Sequence, residues 1–374
     1  MDHSISFRLK SYLKFALDKT IGIDNIKLLI RIKTAYGIYK SVNGPALKSD
    51  DAENIIWINY PNMRFFKRNI TWDILLMAYV ASCGQKFKVH RGGNIGQYRN
   101  KNILFNTFIN KFDDYRFENY SAIYQFLCSQ LEYQGNNVYP SYSEVLYWEN
   151  KIYMYTKFKE LDIHTPRTVF YTDYNVLMQS EKAFPFLIKV PHSSGSFGLF
   201  NITDEQTLQK VSTDPIILSN KYYIVQERLN ITMDLRVICV GDKIEHFYWR
   251  KNNDKTKWRT TSTSFGSSVD FETFPEKWRQ YIIDTFKKLD LTMGAFDVGW
   301  QNDDTETEPY FFEVSPSYDI NPRTTNQEHL NSYGHYKKQL IFKDSFDQLF
   351  VEQTYGIKKK GVAIFFDNLK KKGS

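Results

Sequence analysis

Two carboxylates, Asp297 and Glu313, lie in the stretch MGAFDVGWQNDDTETEPYFFEVSPSY that covers residues 293–318. Residues 294–301 alternate and are rich in apolar and aromatic side chains, 302–309 are turn formers and acids, and 310–314 are β-prone, so the pattern predicts a hairpin. A hairpin symmetric about Thr305 sets position 297 opposite position 313 on one sheet face, with Ser315 on the same face two residues later. Like charges directly opposite are destabilising, and Phe296, Val298, Phe311, Phe312 and Val314 leave little water to screen them. A cation between them resolves the conflict. A hard divalent ion such as Mg2+ takes one or two carboxylates and completes its shell with phosphate oxygens, which points to a phosphate donor. The competing expectation is a slipped register with one acid in solvent.

Three further groups point the same way. Lys189 sits inside the apolar run 184–190, where a lysine needs an anion or loses its charge. Ser193, Ser194, Gly195, Ser196, Phe197 and Gly198 follow it, small residues whose backbone N–H groups can cradle phosphate. The loop leads into another strand (198–202) and carries no GxxxxGK[ST], so it reads as a hairpin lid over a triphosphate, or more plainly as a serine-rich turn. Asp234, Arg236 and Arg250 line up on strands 234–240 and 243–250, joined by the hairpin turn Gly241-Asp242, with Trp258, Arg259, Thr260 and Thr261 on the loop beyond. Carboxylates and arginines converging on strands are typical of a site.

The elements that must position these groups begin with helices over 4–18 and 23–40. Strand 54–60, helix 71–82 capped at Thr71, and strands 86–90 and 102–105 follow, the βαβ order of a small parallel sheet. The turn at residues 90–94, His-Arg-Gly-Gly-Asn, follows its second strand and is either a substrate contact or a plain turn. A helix spans 120–134. A long helix, 143–161, is capped at Ser143 with Lys151 near its middle, and strand 222–227 leads into a joint at Arg228. Helix 274–289 is amphipathic and packs on the sheet of the 234–250 hairpin.

The chain has 374 residues, enough for two or three packed units, with 42% hydrophobic and 24% charged residues. That is the composition of an ordinary globular chain, not a disordered one. Of the net charge of +7, six come from Lys358 to Lys360 and Lys370 to Lys372, so the body is close to neutral. A nucleic-acid reader would carry a basic stripe on its folded part, so no nucleic-acid partner is expected. The cysteines, Cys83, Cys128 and Cys239, read as reduced core thiols of a cytoplasmic protein. No apolar run approaches the ~20 residues needed to cross a bilayer. Residues 356–374 read as a basic tail, a final strand or helix followed by frayed lysines, with a weak peripheral contact at the inner membrane surface as the second reading. His192 and His246 read as structural.

Over 151–316 the chain resembles the ATP-grasp superfamily. The resemblance rests on Lys151, on Lys189 with HSSGSFG, on Val225-Gln226-Glu227-Arg228-Leu229, on Asp234-Leu235-Arg236, and on Asp297 with Glu313-Val314-Ser315-Pro316-Ser317. Within the superfamily it looks most like the glutathione synthetase and ribosomal-protein glutamate ligase (RimK-like) branch. The resemblance implies an α/β (α+β) fold in which two subdomains, 143–229 and 230–355, grip ATP. A small α/β pre-domain (51–142) and N-terminal helices (1–50) would precede them, and the basic tail (356–374) would follow. It implies that Lys151, Lys189 and the lid with Ser194, Gly195, Ser196 and Gly198 hold ATP phosphates. Gln226, Glu227 and Leu229 would meet adenine and Asp234 the ribose. Asp297, Glu313 and Ser315 would bind two Mg2+ ions, and Arg236, Arg250 and Arg259 would hold phosphate or the acceptor carboxylate. Most family members have Asn at the position of Ser315, so either the second ion is held more loosely here, or a water bridges the gap, or catalysis has decayed. The implied activity is ATP-dependent carboxylate–amine ligation through an acyl phosphate, with a small-molecule, peptide or glycan carboxylate and an amine as co-substrates. An ATP-grasp kinase and a non-catalytic nucleotide-binding scaffold are the alternatives. Nothing in the sequence sets an oligomeric state.

Overall fold

The computed structural model describes residues 23–58, 63–92, 94–106, 120–193, 195–252, 258, 260–263, 266–339 and 345–373. The expected helix at 4–18, Gly93, Ser194 and Arg259 lie outside them.

Helix α1 (Ile23–Ser41) precedes strand β1 (Asn54–Ile58), helix α2 (Met63–Ser82) and strands β2 (Phe87–Arg91) and β3 (Asn102–Phe105). Helix α3 (Tyr120–Tyr133) and the short strand β4 (Asn137–Tyr139) complete a parallel sheet in the order β2-β1-β3-β4. All five residues of β1 are buried, as a central parallel strand requires. The helix expected to be capped at Thr71 starts at Met63, and Thr71 is a buried interior position. No proline or glycine between the two stops the helix from extending.

The expected long helix at 143–161 is two helices. Ser141 caps a single turn, Tyr142–Val145, through a capping box with Glu144. Helix α4 (Lys151–Glu160) then begins anew, and the Asn150 side chain accepts from the Tyr153 N–H. The reason lies in packing. Val145 and Trp148 belong to a core under the parallel sheet, whereas Met154, Tyr155 and Phe158 belong to the core of a different sheet. No straight helix feeds both, so Glu149 adopts a left-handed φ of 48° between them. Lys151 therefore occupies the first turn of a helix rather than the middle of one.

Two antiparallel sheets follow. The first has the order β5-β8-β6-β7, built from β5 (Thr168–Tyr171), β6 (Phe186–Lys189), β7 (Leu199–Ile202) and β8 (Tyr223–Glu227). The second has the order β11-β10-β9-β12-β13, from β9 (Met233–Val240), β10 (Lys243–Lys251), β11 (Ser268–Asp270), β12 (Met293–Gly299) and β13 (Tyr310–Ser315). Helix α5 (Arg279–Lys288) covers one face of this second sheet, burying Ile282 and Phe286 against Leu235, Val237 and Phe296. On the opposite face Ile238, Val240, Tyr248 and Ala295 pack against Tyr318, Tyr333, Phe346 and Phe350, and the polar remainder of that face carries the site.

The segment read as a basic tail is the second half of helix α6 (Phe346–Gly373). Its Val351, Val362 and Phe366 are buried in the same core as Ala35 of α1, Leu75 of α2 and Ile56 of β1. The lysines stand between apolar residues that the N-terminal sheet needs, so this stretch is part of a core and offers no free apolar face. No helix among the described residues is long and apolar enough to cross a membrane.

Candidate active site

One line of residues crosses the second sheet from β10 to β13. Tyr248 pairs with Arg236, Arg236 with Asp297, and Asp297 with Glu313. The predicted register is therefore present, with Ala295 opposite Ser315 beyond it, and a bulge after Asp297 breaks the hairpin's symmetry toward the turn. Arg250 pairs with Asp234 alongside. Phe296, Val298, Phe311 and Val314 point to the α5 side, so alternation leaves the charged residues together on the other.

The cation that the two carboxylates require is supplied in part by the chain itself. Arg236 Nη1 lies 2.6 Å from Asp297 Oδ1, and Arg250 Nη2 lies 3.0 Å from Asp297 Oδ2. Arg250 also grips Asp234 with two parallel bonds, Nε to Oδ1 at 2.7 Å and Nη2 to Oδ2. Burial alone would raise the Asp297 carboxyl, but the two guanidiniums outweigh it and hold it below the usual carboxylate range. Asp234, more deeply buried and sharing Arg250, is pushed up by that burial against the pull of the arginine.

Two lysines close the other side. Lys151 is 7% exposed, donates to the Ser193 carbonyl, and brings its Nζ to 3.9 Å from Glu313 Oε1. Lys189 donates to Gln226 Oε1 at 2.6 Å and to the Tyr155 hydroxyl at 2.9 Å. Tyr155 in turn donates to the Phe312 carbonyl at 2.8 Å, and Gln226 Nε2 to Thr168 Oγ1 at 2.9 Å. This chain of bonds ties β5, β8 and β6 to β13 through α4. Desolvation lowers the Lys189 ammonium to about 8, although Glu313 and Asp297 pull it up.

The loop from Lys189 turns back through three residues in the left-handed region, Gly195 (φ 62°), Ser196 (φ 65°) and Gly198 (φ 67°). At Gly198 a Cβ would stand 2.3 Å from Val190 Cγ2, so only glycine lets the lid fold onto its own strand. The joint after β8 is held by Asp303 of the β12–β13 turn, which accepts from the Thr232 N–H at 2.9 Å and its hydroxyl at 2.6 Å. Lys151, Lys189, Gly195, Ser196, Gly198, Gln226, Glu227, Leu229, Asp234, Arg236, Arg250, Asp297, Glu313 and Ser315 all line one cavity of about 1000 Å³.

Asp297, Glu313 and Ser315 form an all-oxygen donor set on one sheet edge. Each Asp297 oxygen gives one lone pair to an arginine and keeps another, and the Glu313 side chain is 35% exposed toward the cavity. Ser315 Oγ spends its proton on the Ser317 carbonyl at 2.5 Å and keeps its lone pairs. The set fits a hard divalent ion that arrives with phosphates. No group of three or more acids, histidines or cysteines stands ready for a metal alone among the described residues.

His192 Nδ1 donates to the Glu149 carbonyl and His246 Nε2 to the Asn321 carbonyl, each at 2.9 Å, and burial lowers both below the ordinary imidazole value. Both are structural. Tyr155 was missed in the sequence, although its place four residues after Lys151 on one helix face was the available sign. Lys337, Lys358 and Trp72 also line the cavity and were not singled out for it.

No protein-family model matches the chain, and no curated protein matches it in sequence. Solved structures do. A D-alanine–D-alanine ligase from Bacillus anthracis complexed with ATP is similar with a TM-score of 0.50 at 10% identity, over 84% of this chain and 99% of that one. A RimK-domain ATP-grasp protein from Sphaerobacter thermophilus gives 0.47 at 12% identity, over 81% and 98%. The ATP-grasp ligase PsnB complexed with a minimal precursor gives 0.46 at 12%, over 72% and 91%. The likeness to the first of these shows the ATP-grasp fold.

Proposed function

We propose that this ATP-grasp chain is an ATP-dependent carboxylate–amine ligase. The observation that carries the reading is the meeting, in one cavity, of Lys151 and Lys189 from one side with the Asp297–Glu313 pair from the other. Lysines that lack a full anionic partner, facing carboxylates able to share a hard cation, form a site for a polyphosphate. The geometry supports a division of labour. Lys151 and Lys189 hold phosphate oxygens, and the loop through Gly198 closes over them and excludes water. Arg236 and Arg250 face the cavity with preset orientation, since Asp297 and Asp234 fix their planes, and they orient the acid substrate's carboxylate.

A carboxylate oxygen then attacks the γ-phosphorus as the bond to ADP breaks. The amine attacks the acyl carbon of the resulting acyl phosphate, phosphate leaves with the C–O bond electrons, and the amine nitrogen loses a proton. A divalent ion at Asp297, Glu313 and Ser315 would supply charge neutralisation on the phosphates. Such transfer depends on positioning and electrostatics, which accords with a site rich in lysine and arginine whose nearby histidines are bound to carbonyls.

The test is ADP release from Mg-ATP with pooled carboxylic acids, with and without pooled amines. ADP that requires both pools supports ligation. A stable phosphorylated product without an amine would replace the ligase with a kinase. Tight Mg-ATP binding with no ADP from any acceptor would leave a nucleotide-binding scaffold.

A further inference from the structure

The cavity does not end at the nucleotide lysines. Its lining also holds a second pair of cations, Lys337 and Lys358, together with Trp72, Tyr318, Asp319 and Asn321. Lys358 Nζ donates to the Tyr318 carbonyl at 2.9 Å and sits over the rings of Tyr318 (4.8 Å) and Trp72 (5.5 Å). Among the described residues neither lysine has an acid within 4 Å, whereas Asp234 and Asp297 already occupy Arg250 and Arg236. Among the described residues Asp319 acts electrostatically on both lysines, and Arg31, Arg250 and Lys27 add positive charge around Lys337. Desolvation lowers both ammonium groups, the behaviour of cations enclosed without a counter-ion.

We propose that this end of the cavity binds a free carboxylate on the second substrate, so that the ligase takes an amino acid or a dicarboxylic acid there. The inference rests on the ligase reading for its role, but the site itself is defined by Lys337 and Lys358. Lysine ammoniums are point charges suited to a single carboxylate, and the Trp72 and Tyr318 rings pack the carbon skeleton beside it.

The experiment is thermal unfolding of the full chain with L-alanine, L-glutamate or succinate, with L-alaninamide and succinamide as matched uncharged controls, and with inorganic phosphate. Each is measured with and without Mg-AMPPNP. At least one acid should raise the wild-type midpoint saturably while its amide does not. Its Kd should weaken about tenfold or more in Lys358→Met and Lys337→Met, equivalent to about 1.4 kcal/mol, and be largely kept in Lys358→Arg. The Mg-AMPPNP shift should persist in all variants. No acid binding in wild type, equal binding by acid and amide, phosphate binding in place of the acids, or unchanged Kd in both methionine variants would overturn the proposal. Loss of the wild-type Mg-AMPPNP shift would instead overturn the ligase reading, and the lysine site would then be judged on the acid shifts measured without nucleotide.

Discussion

Asp297 and Glu313 are direct cross-strand partners, yet they answer to different cations. Arg236 and Arg250 take both oxygens of Asp297, at 2.6 and 3.0 Å, while among the described residues the cation within 4 Å of Glu313 is Lys151, at 3.9 Å. The sheet thus tolerates two facing carboxylates by neutralising one internally and leaving the other half-exposed to the cavity. Their removal should have unequal effects.

Asp297→Asn leaves two buried guanidiniums short of a partner and should cost about 3 kcal/mol of stability or more. Glu313→Gln breaks only a long, partly exposed contact and should cost under about 1 kcal/mol. Both should abolish the magnesium dependence of the ATP-induced midpoint shift. Urea titrations and thermal unfolding with Mg-ATP check this, and equal destabilisation would contradict the assigned neutralisation.

Lys189 gives a pH signature. Its folded value of about 8 lies below the ordinary 10.5, so the unfolded chain binds more protons between the two and stability should rise with pH across that window. Below pH 8 the cost of burying the ammonium is fully present. Phosphate holding runs the opposite way, because it needs the protonated form. Affinity of the free protein for ATP should therefore be flat below pH 8 and fall as pH rises above it. Lys189→Met should flatten the stability profile and weaken ATP binding, read by unfolding curves and calorimetry from pH 7 to 10.

Tyr155→Phe removes the hydroxyl that joins Lys189 to the Phe312 carbonyl. A loss of about 1–2 kcal/mol in stability is expected, with weaker ATP binding because the lysine loses its tether to β13. A variant with unchanged ATP affinity would show that Lys189 is positioned by Gln226 alone.

Gly198→Ala meets two obstacles, a φ of 67° and a Cβ 2.3 Å from Val190 Cγ2. The expected loss is about 1–3 kcal/mol, with impaired ATP binding. Val190→Ala should relieve the contact but not the backbone strain, so the double variant should recover only part of the loss in the same thermal assay.

Phe366→Ala should destabilise by about 3–5 kcal/mol, because the ring is buried in the N-terminal core one helical turn from Val362. A change below 1 kcal/mol in urea unfolding would return this stretch to the status of a solvated tail.

The face alternation around Asp297 and Glu313, the glycines of the lid and the lysine inside β6 were legible because each rests on local periodicity or a local turn. The break at Glu149 was not. It arises because Trp148 and Met154 serve different cores, a fact of three-dimensional packing that no window of residues contains. The lysines of α6 hid its role for the same reason, since charge dominates the local composition while Val362 and Phe366 find partners far away in sequence. The arginines on Asp297 were expected to contact ligand, and only the strand order β10-β9-β12 revealed that the chain already engages them.

Helix α6 has a bearing on how the protein is made. Arg31 of α1 pairs with Asp347 of α6 at 2.6 Å, and the apolar surfaces of α1, α2 and β1 are completed by α6. On the ribosome, those surfaces emerge before residues 83–345 have been translated, a delay of roughly 10–50 s at about 5–20 residues per second. The N-terminal sheet therefore spends that interval with an open apolar side, and its core closes only after α6 has emerged.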